Sequence, residues 1–167
     1  SIRVIATSAA RDARNVEDLV QAVRSASGLD MEILTGDQEA DFAFQGVTTD
    51  PRYADSPFLL LEVGGGSSQF ILGDHGTKEF TRSFQIGTVR LMEAVPNVNS
   101  QGEQDLAQTR QWLKRVLDEE VAARLEPELQ RARRSLPPVT SLQLVGTGGT
   151  ASILGCMEAK LEVFDRD

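Results

Sequence analysis

At 167 residues and 40% hydrophobic content, the chain is long enough for one ordinary domain or parts of two, with a real core. A formal net charge of −8 argues against broad nucleic-acid binding, which needs a basic surface, but leaves room for a small phosphorylated ligand held by local amides, an arginine and a cation. No apolar run approaches the ~20 residues of a membrane-spanning helix, and one cysteine with one histidine excludes a disulfide framework and a structural zinc site. A reducing cytoplasm is then the default location, and any metal is expected to be a hard, oxygen-liganded ion such as magnesium.

The chain begins at Ser1 and enters a strand at once, Ile2 to Ala6, as expected of part of a longer protein. Thr7 to Asn15 is small and polar and is expected to be a connection, with Asn15 capping a helix that runs to Ser27. Val16, Leu19, Val20 and Val23 give that helix one apolar stripe, and Gly28 ends it. Met31 to Leu34 is a short strand, and Thr35-Gly36-Asp37 leads into a helix over 38–47. This strand, helix, strand order predicts a layered α/β domain, and a boundary is expected between Ala43 and Asp50.

Thr48 to Pro57 has the composition of a surface loop. Phe58 to Leu72 is expected to be two antiparallel strands around Gly64-Gly65-Gly66-Ser67, with a third strand over 78–84 after a turn at 73–76. His75, in that turn, is expected to be exposed. The stretch 85–95 carries a glycine and an arginine before a short helix, and 96–102 is loop. The longest helix carries Leu106, Leu113, Val116, Leu117, Val121 and Leu125 at helical spacing; Trp112 is expected on its packed face. Pro137-Pro138 breaks the next helix. Residues 142–145 form an apolar strand, and 151–160 the last helix, with Cys156 expected in the core.

Two glycine turns carry the chemistry. Three glycines after an apolar strand let the backbone close around an anion through N–H groups, although such a sequence also makes a plain hairpin. The second turn, Gly146-Thr147-Gly148-Gly149-Thr150, leads into a helix whose free N–H groups and positive dipole end suit phosphate. Glu62, ending the strand before the first turn, lies where a cation bridging phosphate oxygens would be held. Arg11 is either a surface arginine or a guanidinium forked onto phosphate. Glu39 either complements a helix dipole or polarises a water for attack on phosphorus.

The segments ATSAARDARN, TGDQEA, GGGSS, SFQIGTVRL and VGTGGTAS, in this order, resemble the Ppx/GppA family of exopolyphosphatases and guanosine pentaphosphate phosphohydrolases. The resemblance implies an actin-like ATPase (ribonuclease H-like) fold, a mixed sheet flanked by helices, with residues 1–42 the distal part of one domain and 43–167 most of a second. It implies Arg11 as a phosphate contact and Glu39 as activator of the attacking water. Gly64, Gly65, Gly66 and Ser67 would surround the phosphoryl group, Gly146 to Thr150 would face it, and Glu62 would stand in a metal-linked position with Mg2+ as cofactor. Polyphosphate or guanosine pentaphosphate would be the substrate and a homodimer a possible assembly.

Three departures from the family pattern are visible. Its opening Asp-x-Gly-Ser-Asn-Ser phosphate loop is not in this chain, so the chain alone is expected to be inactive. Glu62 stands in place of aspartate, and Gln69 stands where many members have an acid. The last two leave a second reading open, a phosphate-ligand sensor that binds without hydrolysis.

Overall fold

The computed structural model describes residues 2–95, 103–137 and 140–161; the loop expected over 96–102 lies outside them. Strand β1 (Val4–Ala6) pairs in parallel with β2 (Met31–Ile33), as a strand, helix, strand connection requires. Between them, Thr7 to Asn15 is not merely a connection. Its small residues wind into α1 (Ser8–Asp12), whose first turn is closed by Ala10 and Arg11 N–H groups donating to Thr7 O. Helix α2 (Val16–Ser27) follows. Asn15 holds the capping position without a side-chain capping bond, whereas Gly28, at φ 71°, ends the helix by donating to Arg24 O.

Helix α3 (Gly36–Thr48) begins with a reciprocal cap. Thr35 Oγ1 accepts from Gln38 N–H at 3.2 Å, and Gln38 Oε1 accepts from Thr35 N–H at 2.8 Å. Thr35→Ala is expected to cost about 1 kcal/mol, read as a lower melting midpoint, with Thr35→Ser near wild type. The division expected after residue 42 falls inside α3, whose Ala40 and Phe44 pack on the second sheet. Part of the expected loop over 48–57 is helical, α4 (Pro51–Ala54). Proline stands at its first turn and Asp50 Oδ1 accepts from Arg52 N–H.

The second sheet has the order β5-β4-β3-β6, from β3 (Phe58–Val63), β4 (Ser68–Asp74), β5 (Thr77–Phe84) and β6 (Gln143–Thr147). The β4–β5 turn is two residues, His75 at φ 46° and Gly76 at φ 71°, the left-handed pair that matches strand twist. His75 is exposed there, as expected. β3 runs antiparallel to β4 and parallel to β6.

Alternation along these strands sorts two cores. Phe58, Leu60, Ile71 and Val145 meet Ala40 and Phe44 of α3 on one face. Phe70, Phe84 and Ile86 meet Val116, Val121 and Leu125 on the other, with Trp112 packed against them. That second face is covered by a helical stretch longer than expected: α6 (Glu103–Val116), a π-helical segment Leu117–Ala122, and α7 (Ala123–Ser135). Pro127 stands in the second turn of α7, five residues past Ala122, where its ring and missing N–H disturb the α ladder just beyond the π turns.

Short helix α5 (Thr88–Ala94) starts at Gly87, so Arg90 is helical rather than preceding the helix. The last helix, α8 (Gly148–Glu158), starts three residues earlier than expected, taking Gly148 to Thr150 into its first turn. Cys156 is only partly buried, against expectation, because α8 packs on β3 and β6 from one side while Ile153, Leu154 and Met157 stay exposed. Among the described residues no helix is long and apolar enough to cross a membrane.

Candidate functional site

Strand register places Ser83, Gln69, Glu62 and Thr147 directly opposite one another across β5, β4, β3 and β6. Residues opposite in register share a face, so this polar row closes the end of the face that α3 covers. The apolar pattern of Phe58, Leu60 and Ile71 dictates the choice of face. Both glycine turns and the start of α3 meet at this end.

Gly64 to Ser67 joins β3 to β4, with Gly64 N–H donating to Ser67 O at 3.0 Å. The loop is gripped by its carbonyls. Thr88 N–H donates to Gly64 O at 3.0 Å, Val89 N–H to Gly65 O at 2.9 Å, and Arg90 Nε to Gly66 O at 2.6 Å. Arg90 also pairs with Asp12 of α1 and with Gln85 Oε1. Among the described residues, the N–H groups of Gly65, Gly66 and Ser67 donate to no protein acceptor. A loop whose carbonyls are drawn one way offers its N–H groups the other way, which suits an anion.

Close approach explains two of its glycines. A Cβ on Gly66 would lie 3.0 Å from Ser8 Cβ of α1, and one on Gly65 would lie 3.3 Å from Val89 Cγ2. The Ser67 hydroxyl is buried beneath the loop, where its Oγ accepts from Gln69 Nε2 at 3.1 Å. That leaves the Ser67 peptide N–H, rather than its side chain, as the group the loop can offer outward.

Arg11 Nη1 donates to Leu34 O at 2.5 Å and to Glu39 Oε2 at 3.1 Å. Both side chains are under one-fifth exposed, so the ion pair is largely shielded from solvent and holds Glu39 in one orientation. Glu62 lies near enough to Glu39 to feel its charge. Burial, with the Glu39 carboxylate adding to it, pushes the Glu62 carboxyl above its ordinary range. On its other side, Glu62 Oε1 would be 3.3 Å from a Cβ on Gly148, which sits at φ 81° at the start of α8. Thr150 Oγ1 donates to Val63 O at 2.8 Å, tying the second glycine turn to the strand that carries Glu62. Thr147, in the N-cap position of α8, makes no side-chain cap bond, leaving the first-turn N–H groups without that partner.

Two mutually repelling carboxylates are the charge that a divalent cation offsets, and magnesium commonly takes one or two carboxylates together with substrate phosphates. Glu62 fits that donor chemistry, with the Glu39 charge beside it. Among the described residues no cluster of three or more His, Cys, Asp or Glu side chains offers an all-protein cage. With a chelator present, Glu62→Gln should relieve the repulsion and raise the melting midpoint by about 2–4 °C. The sign follows from the raised folded-state pKa. The native state keeps a proton that the unfolded chain has lost, so stability falls as pH rises from the ordinary glutamate range through the folded value. The variant should lose that decline; a melting series in chelator across pH checks it.

The structure thus brings Arg11, Glu39, Glu62, Gly64 to Ser67 and Gly146 to Thr150 to one end of the second sheet. Sequence reasoning missed Arg90, Asp12, Gly87 and Ser83. Arg90 and Gly87 lie in SFQIGTVRL and Asp12 in ATSAARDARN, but nothing local shows that two of those segments clamp the glycine loop.

Residues 1–161 match the Ppx/GppA phosphatase family. The chain belongs to the Ppx/GppA phosphatase family. Exopolyphosphatase 2 of Mycobacterium tuberculosis is 30% identical over 98% of this chain and 49% of its own length. The guanosine-5'-triphosphate,3'-diphosphate pyrophosphatase of Aeromonas hydrophila is 26% identical over 66% of this chain and 21% of its own. A crystal structure of an exopolyphosphatase from Cytophaga hutchinsonii superposes with a TM-score of 0.71 at 25% identity, covering 96% of this chain and 49% of that one. This Ppx/GppA chain spans half or less of those relatives, and its fold is the actin-like (ribonuclease H-like) α/β class that its motifs implied.

Proposed function

We propose that the whole protein hydrolyses the terminal phosphoanhydride of inorganic polyphosphate or guanosine pentaphosphate, and that this chain supplies much of the site. The observation that carries the reading is the convergence of both glycine turns and the Arg11–Glu39 pair on Glu62. The family relatives named exopolyphosphatase and pyrophosphatase support the substrate class.

In this reading the N–H groups of Gly65, Gly66 and Ser67 hold oxygens of the transferred phosphoryl group, and the first turn of α8 faces it from the other side. Arg11 fixes Glu39 through one nitrogen, leaving its other guanidinium donors for phosphate. Glu39 orients a water and accepts its proton as the water oxygen bonds to phosphorus and the bridging P–O bond breaks. Magnesium, when bound, would neutralise phosphate charge, with Glu62 as its protein ligand.

Phosphate release in the presence of magnesium, measured for the whole protein on polyphosphate and on guanosine pentaphosphate, tests the reading. Release from one identifies the substrate. Binding of both without release would overturn hydrolysis and establish the sensor, a reading favoured by the neutral Gln69 beside Glu62.

A further inference from the structure

Gln69 is fully buried, yet it is an amide in a row that ends an apolar core. Its Nε2 donates to Ser67 Oγ at 3.1 Å and to Ser83 Oγ at 3.3 Å, while its Oε1 has no partner among the described residues. A buried, half-satisfied amide contributes little to stability and much to position, since its unpaired oxygen bears a desolvation cost that an apolar side chain would avoid. What it positions is visible at both ends. Ser67 is the last residue of the glycine loop. Ser83 is where the first residue of α3 meets the sheet, because a Cβ on Gly36 would lie 2.6 Å from Ser83 Cβ and 2.9 Å from its Oγ. Gly36 opens α3, and Glu39 follows one turn later.

Resting on the proposed phosphohydrolase reading, we infer that Gln69 is a positioning residue that sets the spacing between the glycine loop and the start of α3. The loop would hold the phosphoryl group and α3 carries Glu39, so the amide spans the two parts whose separation governs in-line attack. The tie passes through Ser67 on one side and through the Ser83–Gly36 contact on the other. Being fully buried, the amide acts through those two serines rather than on the reacting atoms. Displacing one reacting partner by about 1 Å costs on the order of 100-fold in rate, so the effect of loosening the tie falls on turnover more than on ground-state binding.

The test is a double-mutant cycle in the whole protein. Gln69→Met matches the side chain in length and removes both donated bonds; Ser67→Ala removes one end of the tie. The expected result is a kcat lowered by roughly 10- to 100-fold in Gln69→Met with KM within about 3-fold, and no further loss when Gln69→Met is added to Ser67→Ala. Losses that multiply in the double variant, or a wild-type kcat in Gln69→Met, would overturn the inference. If Gln69→Met does not fold, Ser83→Ala replaces it in the cycle with the same non-additive expectation.

Tripolyphosphate binding separates this inference from the reading it rests on. If the wild-type protein binds tripolyphosphate and releases no phosphate from polyphosphate or from guanosine pentaphosphate, hydrolysis fails, and the tie is then read from affinity. Gln69→Met should weaken binding about threefold and should weaken it no further in the Ser67→Ala background. Affinity unchanged in Gln69→Met would overturn the tie as well.

Discussion

Glu39→Gln in the whole protein is expected to lower kcat for phosphate release by about 10²- to 10⁴-fold, the usual contribution of a positioned general base, while KM changes only a few-fold. The substitution is close to isosteric. Its amide oxygen still accepts from Arg11 Nη1, which in the native protein donates to Glu39 Oε2 at 3.1 Å and to Leu34 O at 2.5 Å, so the arginine keeps its place. The capped start of α3 is untouched, since Thr35 and Gln38 hold it. What the amide lacks is the capacity to take a proton. It also removes the smaller of the two influences that push Glu62 upward, burial being the larger, so binding of phosphate ligands is expected to survive or tighten slightly. Turnover at the wild-type rate would refute the role given to Glu39, and loss of binding together with turnover would make it a binding residue instead.

Gly87→Ala is expected to destabilise the protein by about 3 kcal/mol and to weaken tripolyphosphate binding at least tenfold. The cause is steric, since Gly87 lies in an extended conformation that any residue adopts. A Cβ there would be 2.8 Å from Gly64 O and closer still to Gly65 O, and neither is the end of a flexible side chain. Relief would move either the glycine loop or the start of α5. Both are held by the same bonds, from Thr88 and Val89 N–H to those two carbonyls. Gly149→Ala is the contrast: a Cβ there meets nothing within 4 Å, so stability should be near wild type. Denaturant melts of the two variants, with tripolyphosphate titrations, check the pair. Equal stability for both would mean that the loop is not clamped from α5.

Much of the architecture was legible because it follows from short-range periodicity. The apolar stripe of α2, the apolar strands on either side of Gly64 to Ser67, the Gly28 stop and a turn within 73–76 are each written within about ten residues. The errors arose where local composition allowed two outcomes. Thr7 to Asn15 has enough small residues to wind a helical turn, as does Asp50-Pro51, where a proline at the first turn and a capping aspartate outweigh a loop-like composition. Cys156 is apolar enough for a core, but burial of α8 depends on what covers it, and among the described residues β3 and β6 meet only one side.

The candidate site divides in the same way. The glycine turns, Glu62, Glu39 and Arg11 could be singled out from residue type and neighbours, because a phosphate cradle and a carboxylate at a strand end are local chemistry. Their meeting was decided by tertiary structure. The Arg90–Asp12 pair joins residues 78 apart, and Thr150 reaches Val63 across 87. Strand register alone aligns Ser83, Gln69, Glu62 and Thr147 from four separate segments. Local sequence dictates helix, strand and turn because backbone sterics and side-chain period act over a few residues. Which glycine lies under which serine, and which carboxylate raises another's pKa, depends on packing between surfaces that no local pattern specifies.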